Sequence, residues 1–354
     1  MNLLPTAEQR DIVDSLRSFL SARAPVSRLR PPAPQTGNSD HRLFRDLGDL
    51  GIWGCGLAEA VGGVGLSAAE ESLIYREFGR HLLSPGIFAL TLGAHLLSQF
   101  DENLLSSFID GSARVGIANP RGSVSLSARS SAEAARSSGE VHLFGGEVHL
   151  FDCAEAEWVL ICDESGAALF RRDDFADIQP VRSMDNLVTL HRARLVDARP
   201  SFWTAAPDRL LHERALLLLS AFAVGIAEAT RDMAVEYAKT REQFGRPIGS
   251  FQAIKHICAD MAIRCEAAVC QTAFASLIHA EGHDGVAFHA TSSKLVAAAS
   301  AVKNASQNIQ VHGAIGFTAE ADPHLFLKRA HVIEQLWGDT RRCRERLLSL
   351  DLPE

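Results

Sequence analysis

The chain has no excess of positive charge: 35 Lys and Arg stand against 43 Asp and Glu, for a net charge of −8. Without a basic surface, neither nucleic acid nor anionic membrane is an expected partner. No apolar run reaches the roughly 18 residues that cross a bilayer, so membrane insertion is not expected either. The N-terminal Met1-Asn-Leu-Leu-Pro-Thr-Ala-Glu-Gln-Arg10 lacks a basic stretch followed by an apolar one and does not read as a signal peptide. The seven cysteines form no CxxC pair, and the tightest group is Cys258, Cys265 and Cys270. Such spacing reads as small buried hydrophobes in a reducing compartment, which makes the cytoplasm the expected location and a metal site unexpected.

What the chain does have is length and ordinary globular composition. Its 354 residues, 47% hydrophobic and 22% charged, can bury a large core and predict two or three domains. Residues 1–110 read as a helical domain. Thr6-Ala-Glu-Gln9 offers a capping box, and Ile12, Val13, Leu16, Phe19 and Leu20 recur at helical spacing. Arg30 to Ser39 is a loop by its prolines, glycine and asparagine. Leu43 to Gly51 resumes a helix, and the glycine-rich Glu59 to Leu66 leads into another at Ala68 to Phe78. Residues 111–204 change character. The short apolar runs 141–144, 148–151, 158–162 and 167–170 are parted by Gly145-Gly146, Glu155 and Ser165-Gly166, which predicts a small antiparallel β domain. Within it, Ser123 to Ser138 is Ser-, Ala- and Arg-rich and predicts an exposed or poorly ordered loop. Residues 205–354 return to long alanine-rich helices at 214–240, 251–280 and 287–311, with Glu281 to Asp284 in the turn before Gly285. Small residues let such helices approach closely in a bundle.

Two segments in that last region carry the chemistry. The first runs from Tyr237 to Gln252 and contains Arg241, Phe244, Gly245 and Gln252; the second is Gln310-Val-His-Gly-Ala-Ile-Gly-Phe317. A guanidinium presents a fork of donors matched to phosphate oxygens, and glycines let backbone approach a cofactor. In this order and spacing, within an α–β–α plan, the two segments resemble the flavin-binding signature of the acyl-CoA dehydrogenase family. Gly48 to Leu66 also looks like that family's N-terminal glycine-rich turn. The resemblance covers nearly the whole chain. It implies a mainly α fold with a middle β domain and a C-terminal four-helix bundle that builds the oligomer. It also implies an FAD cofactor, contacted by Arg241, Phe244, Gln252, Gln310, Gly313 and Ala314 from the neighbouring subunit. An acyl-CoA substrate and an acceptor such as electron-transfer flavoprotein are implied as partners.

The resemblance fails where the chemistry should be. Removing an acidified α proton takes a carboxylate tuned by burial. Most members place that glutamate just before a Gly-Thr, and here the position falls on Trp337, in Glu334-Gln-Leu-Trp-Gly-Asp-Thr340. A minority place it where this chain has Ala215. Asp339, Glu334 and Glu213 are the nearby substitutes, of which Asp339 is the best placed in sequence; the ordinary expectation for all three is an exposed or end-capping carboxylate. In the β domain the family's Thr-Glu-Pro cradle corresponds to Ala118-Asn-Pro-Arg-Gly-Ser123, and its Trp-Ile-Thr segment to Leu150-Phe-Asp152.

The chain thus resembles the subunits of bacterial heteromeric acyl-CoA dehydrogenases that lack the catalytic glutamate, including those acting on steroid- or ring-derived thioesters. That implies a non-catalytic partner in an α2β2 oxidoreductase whose second subunit carries the base. Two alternatives are a self-sufficient homo-oligomer using Asp339 or a displaced glutamate, and a non-enzymatic acyl-CoA-binding or scaffold relative.

Overall fold

The computed structural model describes residues 3–31, 41–120, 144–205 and 210–353. In chain order, helices α1 (Ala7–Arg23), α2 (His41–Gly48), α3 (Ala68–Arg80), α4 (Gly86–Leu97) and α5 (Glu102–Ile109) come first. Strands β1 (Val115–Pro120), β2 (Phe144–Phe151), β3 (Trp158–Asp163), β4 (Gly166–Arg171), β5 (Phe175–Pro180), β6 (Leu190–Ala198) and β7 (Phe202–Ala205) follow. Then come α6 (Leu211–Thr240), a hairpin of β8 (Glu242–Gln243) and β9 (Arg246–Pro247), α7 (Gln252–Glu281), α8 (Val286–His312), α9 (Pro323–Gln335) and α10 (Thr340–Ser349). The mainly α chain with a middle β region is therefore as the sequence predicts. The predicted loop at 123–138 lies outside the described residues, as do most of the loop at 30–39 and the strand residues 141–143.

Contacts divide the chain into a helical unit (Met1–Pro34, Ser67–Leu83, Leu216–Glu354) and a sheet unit (Gln35–Leu66, Ser84–Ala215). In the helical unit, α1 opens on the predicted capping box. The Thr6 N–H donates to Gln9 Oε1 at 2.9 Å and the Gln9 N–H to Thr6 Oγ1 at 3.2 Å. α3 opens on a second box, Ser67 with Glu70. Helices α3 and α6 cross with glycine on both sides. A Cβ on Gly79 would lie 1.9 Å from the Phe222 carbonyl oxygen, and one on Gly225 would lie 2.0 Å from that of Arg76. Beside the crossing, Arg76 holds the buried Glu228 through two bonds of 2.5 and 2.6 Å. In α8, Asn304 donates to the carbonyls of Ala227 and Met261, which ties α6, α7 and α8 together.

Over its most apolar 18 residues α7 has a mean hydropathy of 1.3, enough by length and composition alone to cross a membrane. Only 39% of that window is buried within this chain. The exposed side carries Ala262, Ile263, Ala267 and Cys270, with Ile263 at 67% exposure. Among the described residues these apolar side chains are left exposed, beside the charged Glu266.

The sheet unit holds a seven-stranded sheet in the order β5-β6-β2-β1-β3-β4-β7. Every neighbouring pair is antiparallel except β1 and β3, where Val115 faces Trp158 and Ala118 faces Ile161 in parallel register. The chain leaves β2 beside the start of β1, passes to its other side, and β3 then runs the same way as β1. Gly145-Gly146 is not the turn that its composition predicts. β2 runs straight through it, and a register shift against β6 with Gly146 at φ +142° marks a bulge. Inward-facing Val148, Leu150, Val159, Ile161, Ala168 and Phe170 form the core of this unit.

Candidate functional site

At one end of the helical unit, three helix termini converge. Tyr237 near the end of α6 stacks on His312 at the end of α8, with ring centroids 4.1 Å apart. Below them Ala234, Ala238, Met261 and Val311 make a small core against which Ile248, Ile254 and Ile257 pack. Gly249 sits so close to α6 that a Cβ would come within 2.9 Å of the Ala238 carbonyl oxygen. On this base stands the β8–β9 hairpin, clasped by the Ile248 N–H donating to the Arg241 carbonyl at 2.8 Å.

The hairpin turn has two residues, Phe244 at φ +54° and Gly245 at φ +75°. Positive φ at both is what a tight hairpin turn needs to match the twist of its strands. Glycine takes it freely, whereas a phenylalanine there is strained. The strained ring is also 92% exposed, edge-on to Phe251 at 6.0 Å, with Arg246 over the Phe251 face at 4.2 Å.

Arg241, Gln252, Gln310, Gly313 and Ala314 are all exposed at this end. Among the described residues, no group pairs with the side chains of Arg241, Gln252 or Gln310. Gly313, at φ +65° and ψ −143°, occupies backbone space that is essentially glycine's alone. The short 3₁₀ turn that follows leaves Ile315 and Phe317 at 46% and 71% exposure. The structure thus brings the six predicted cofactor residues to one end, with donors unspent and apolar groups facing out.

The turn between α9 and α10 is the opposite case. Trp337 is 7% exposed and left-handed at φ +54°, followed by Gly338 at φ +99°. Asp339 caps α10, accepting from the Arg342 N–H at 2.9 Å. Glu334 accepts from the Thr340 hydroxyl at 3.0 Å. Behind the turn lies a group that belongs to neither sequence motif. Lys294 in α8 is 1% exposed and donates to the carbonyls of Leu336 and Gly338. Burial pushes its ammonium down to about 8, opposed by Cys343, Asp339 and Glu334. Its place in the sequence held the signal, since it lies on the inward stripe with Ala290, Ala297, Ala301 and Ala305.

In the sheet unit, Ala215 is fully buried in the first turns of α6. Glu213, in the first turn of α6, is 7% exposed and its carboxylate lies 4.0 Å from His212 Nδ1, so of the two expectations, exposed or end-capping, the structure removes the exposed one. Ala118 and Leu150 are buried side by side in β1 and β2; Arg121 to Ser123 lie outside the described residues. Asp152 is left-handed at φ +55°. It accepts from the Ser84 hydroxyl and, at 3.2 Å, from the Gly86 N–H. Pro85, the N-cap residue of α4, contributes no side-chain cap, so Asp152 supplies the anion from across the unit. No local sequence signal announces a cap contributed from another element.

Among the described residues, no group of three or more His, Cys, Asp or Glu could hold a metal ion. Residues 203–347 match the family model "Acyl-CoA dehydrogenase, C-terminal domain", and residues 6–101 match "Acyl-CoA dehydrogenase, N-terminal domain". The acyl-CoA dehydrogenase FadE34 of Mycobacterium tuberculosis is 34% identical over 323 residues, covering 89% of this chain but 43% of that protein, so this chain spans less than half of that relative. The acyl-CoA dehydrogenase IpdE2 of the same organism is 30% identical over 98% of both chains. Among solved structures, the ChsE4-ChsE5 complex from Mycobacterium tuberculosis aligns with a TM-score of 0.83 at 23% identity, over 99% of this chain and 98% of that one. The Tcur3481-Tcur3483 steroid ACAD variant aligns with a TM-score of 0.83 at 23% identity, over 97% of both.

Proposed function

The chain belongs to the acyl-CoA dehydrogenase family, and we propose that within it this protein is the non-catalytic partner subunit of a heteromeric FAD-dependent enzyme. The family's cofactor is FAD, which when bound accepts the hydride lost from the acyl β carbon. The residues of this chain fit one half of that cofactor and not the other. At the hairpin end, Arg241, Gln252 and Gln310 have free polar groups and Gly313 an open backbone, which suits a diphosphate and nucleotide presented by a neighbouring chain. In the sheet unit the positions that correspond to the family's ring contacts hold Leu150, whose side chain is buried in the sheet core, and Asp152, whose carboxylate is spent capping α4.

The observation that carries the reading is Trp337. An indole buried in the base's place accepts no proton, and the nearest carboxylate downstream, Asp339, is engaged as a helix cap. In the assembled enzyme this chain's residues would bind and orient the outer part of the cofactor, while the second subunit removes the α proton. The likeness to structures named as a two-chain complex and as a steroid ACAD supports an α2β2 assembly and a steroid- or ring-derived acyl-CoA. The exposed apolar side chains of α7 support burial against further helices, and electron-transfer flavoprotein is the class of acceptor proposed.

The test is co-purification of the native assembly, followed by flavin quantitation against each chain. The expected result is a second family chain and one flavin per pair, with this chain alone nearly colourless. A yellow homo-oligomer with one flavin per chain and its own acyl-CoA oxidation would overturn the reading. It would favour a second one, a self-sufficient enzyme. The burial of Glu213 is the observation in favour of that second reading, set against its place two residues from Ala215, which turns it about 200° around α6. Loss of that activity in Glu213→Gln would then identify the base.

A further inference from the structure

We infer that Lys294 is the positioning residue for position 337: from α8 it bonds the carbonyls on both sides of Trp337 and fixes the backbone there. A lysine on the buried stripe of an alanine-rich helix has room to extend inward, because its neighbours Ala290, Ala297 and Ala298 are small and buried. An ammonium with 1% exposure survives only if acceptors surround it. Its Nζ donates to the Leu336 carbonyl at 2.5 Å and also to the Gly338 carbonyl. Leu336 closes α9, so the first of these bonds places a cation at the negative end of a helix and satisfies a terminal carbonyl.

Between the two bonded carbonyls, Trp337 and Gly338 are consecutive left-handed residues. A bulky residue does not hold that conformation unaided, and such backbone persists where its surroundings over-determine it. The surroundings here comprise the clamp, the Asp339 cap of α10, and Cys343, whose thiol also approaches the Gly338 carbonyl at 3.8 Å. Glu334 on α9 and Asp339, the N-cap of α10, offset the buried charge, while Arg342 opposes it. The geometry of position 337 is therefore written into α8, forty-three residues away in sequence, and not into the side chain at 337. This makes the turn a seat whose backbone is set whether it carries an indole or a carboxylate. The inference does not depend on which chain supplies the base.

The tryptophans make a test direct. Of the four, Trp53, Trp158 and Trp203 lie in the sheet unit and only Trp337 in the helical unit. Subtracting the spectrum of Trp337→Phe isolates its fluorescence in the full-length protein, taken with its partner where one co-purifies. In Lys294→Met, the Trp337 emission should move to longer wavelength and its quenching by acrylamide rise several-fold, with helical circular dichroism retained. Asn304→Ala breaks a buried network on the same helix and should lower the melting temperature without moving Trp337. If Lys294→Met does not fold, Lys294→Gln, which loses the reach but keeps an amide, serves the same comparison. A Trp337 spectrum and quenching unchanged from wild type in the folded Lys294 variant would overturn the inference. So would an equal shift in Asn304→Ala.

Discussion

The hairpin end and the α9–α10 turn belong to the same helical unit, yet they treat their polar and strained residues in opposite ways. At the hairpin end, Phe244 is left-handed and 92% exposed, and Arg241, Gln252 and Gln310 are unpaired among the described residues. At the turn, Trp337 is equally left-handed but buried. Around it Lys294, Asp339 and Glu334 are all bonded within the chain. Strain and unspent donors facing outward are of use only to something outside the chain. Strain held by internal bonds is architecture. The difference teaches that the hairpin end leaves its polar and strained residues outward, while the turn at 337 has its polar groups bonded within the chain.

The comparison can be broken most forcefully at Lys294. Its native value of about 8 lies below the ordinary 10.5. Between these values the unfolded chain binds a proton that the folded chain does not, so stability rises with pH across that window. Below it, both states are protonated and the contribution is constant. Relative to Lys294→Met, wild type should therefore gain up to about 3 kcal/mol from pH 8 to 10.5. Denaturant midpoints for the two proteins across that range check it, and parallel curves would show that the ammonium is not desolvated.

Next in size is the outward surface. Arg241→Ala in the assembled enzyme should lose roughly 1.5–3 kcal/mol of flavin affinity, about ten- to a hundredfold. The melting temperature of the flavin-free complex should stay put, because Arg241 has no side-chain partner among the described residues. Arg241→Lys should rescue in part, an ammonium lacking the fork. Full flavin retention in Arg241→Ala would reduce this end to ordinary solvated surface.

A smaller effect is expected in the sheet unit. Asp152→Ala removes the anion over the start of α4 and should cost about 1 kcal/mol of stability, and it should not confer flavin binding on this chain alone. Gain of a flavin absorption band would show that the carboxylate, and not the missing ring contacts, excludes the cofactor. The smallest effect belongs to Asp339→Asn. Asparagine caps a helix as well as aspartate does, so stability should change by only a few tenths of a kcal/mol. Activity of the assembled enzyme should be nearly unchanged, whereas a loss of ~10²-fold or more would make Asp339 the base.

Much of the fold was legible locally. The Thr6–Gln9 box, the apolar spacing after it and the unbroken alanine-rich stretches mark α1, α6, α7 and α8 to within a turn, because helical bonds and caps link residues three or four apart. The strands were less legible. Gly145-Gly146 has the composition of a turn, but β6 offers a partner on its far side and the pair becomes a bulge. The motif residues of the hairpin end could be named from the sequence. Their exposure and their freedom from internal partners could not.

By itself, then, the sequence determined the helices, the α–β–α order, the family and the absence of a glutamate at 215 and 337. These are properties of residue types and of spacings within one or two turns. The tertiary structure decided which residues are spent and which are free. It set Lys294 against two carbonyls 42 and 44 residues on, turned Asp152 into a cap for a helix that it does not belong to, and placed β3 beside β1 in parallel. It also left Arg241 and Phe244 facing out. Those outcomes depend on pairings between segments far apart in the chain. Burial makes each such pairing obligatory, since a buried charge or carbonyl must find a partner, but it leaves no mark on the neighbouring residues from which that partner could be read.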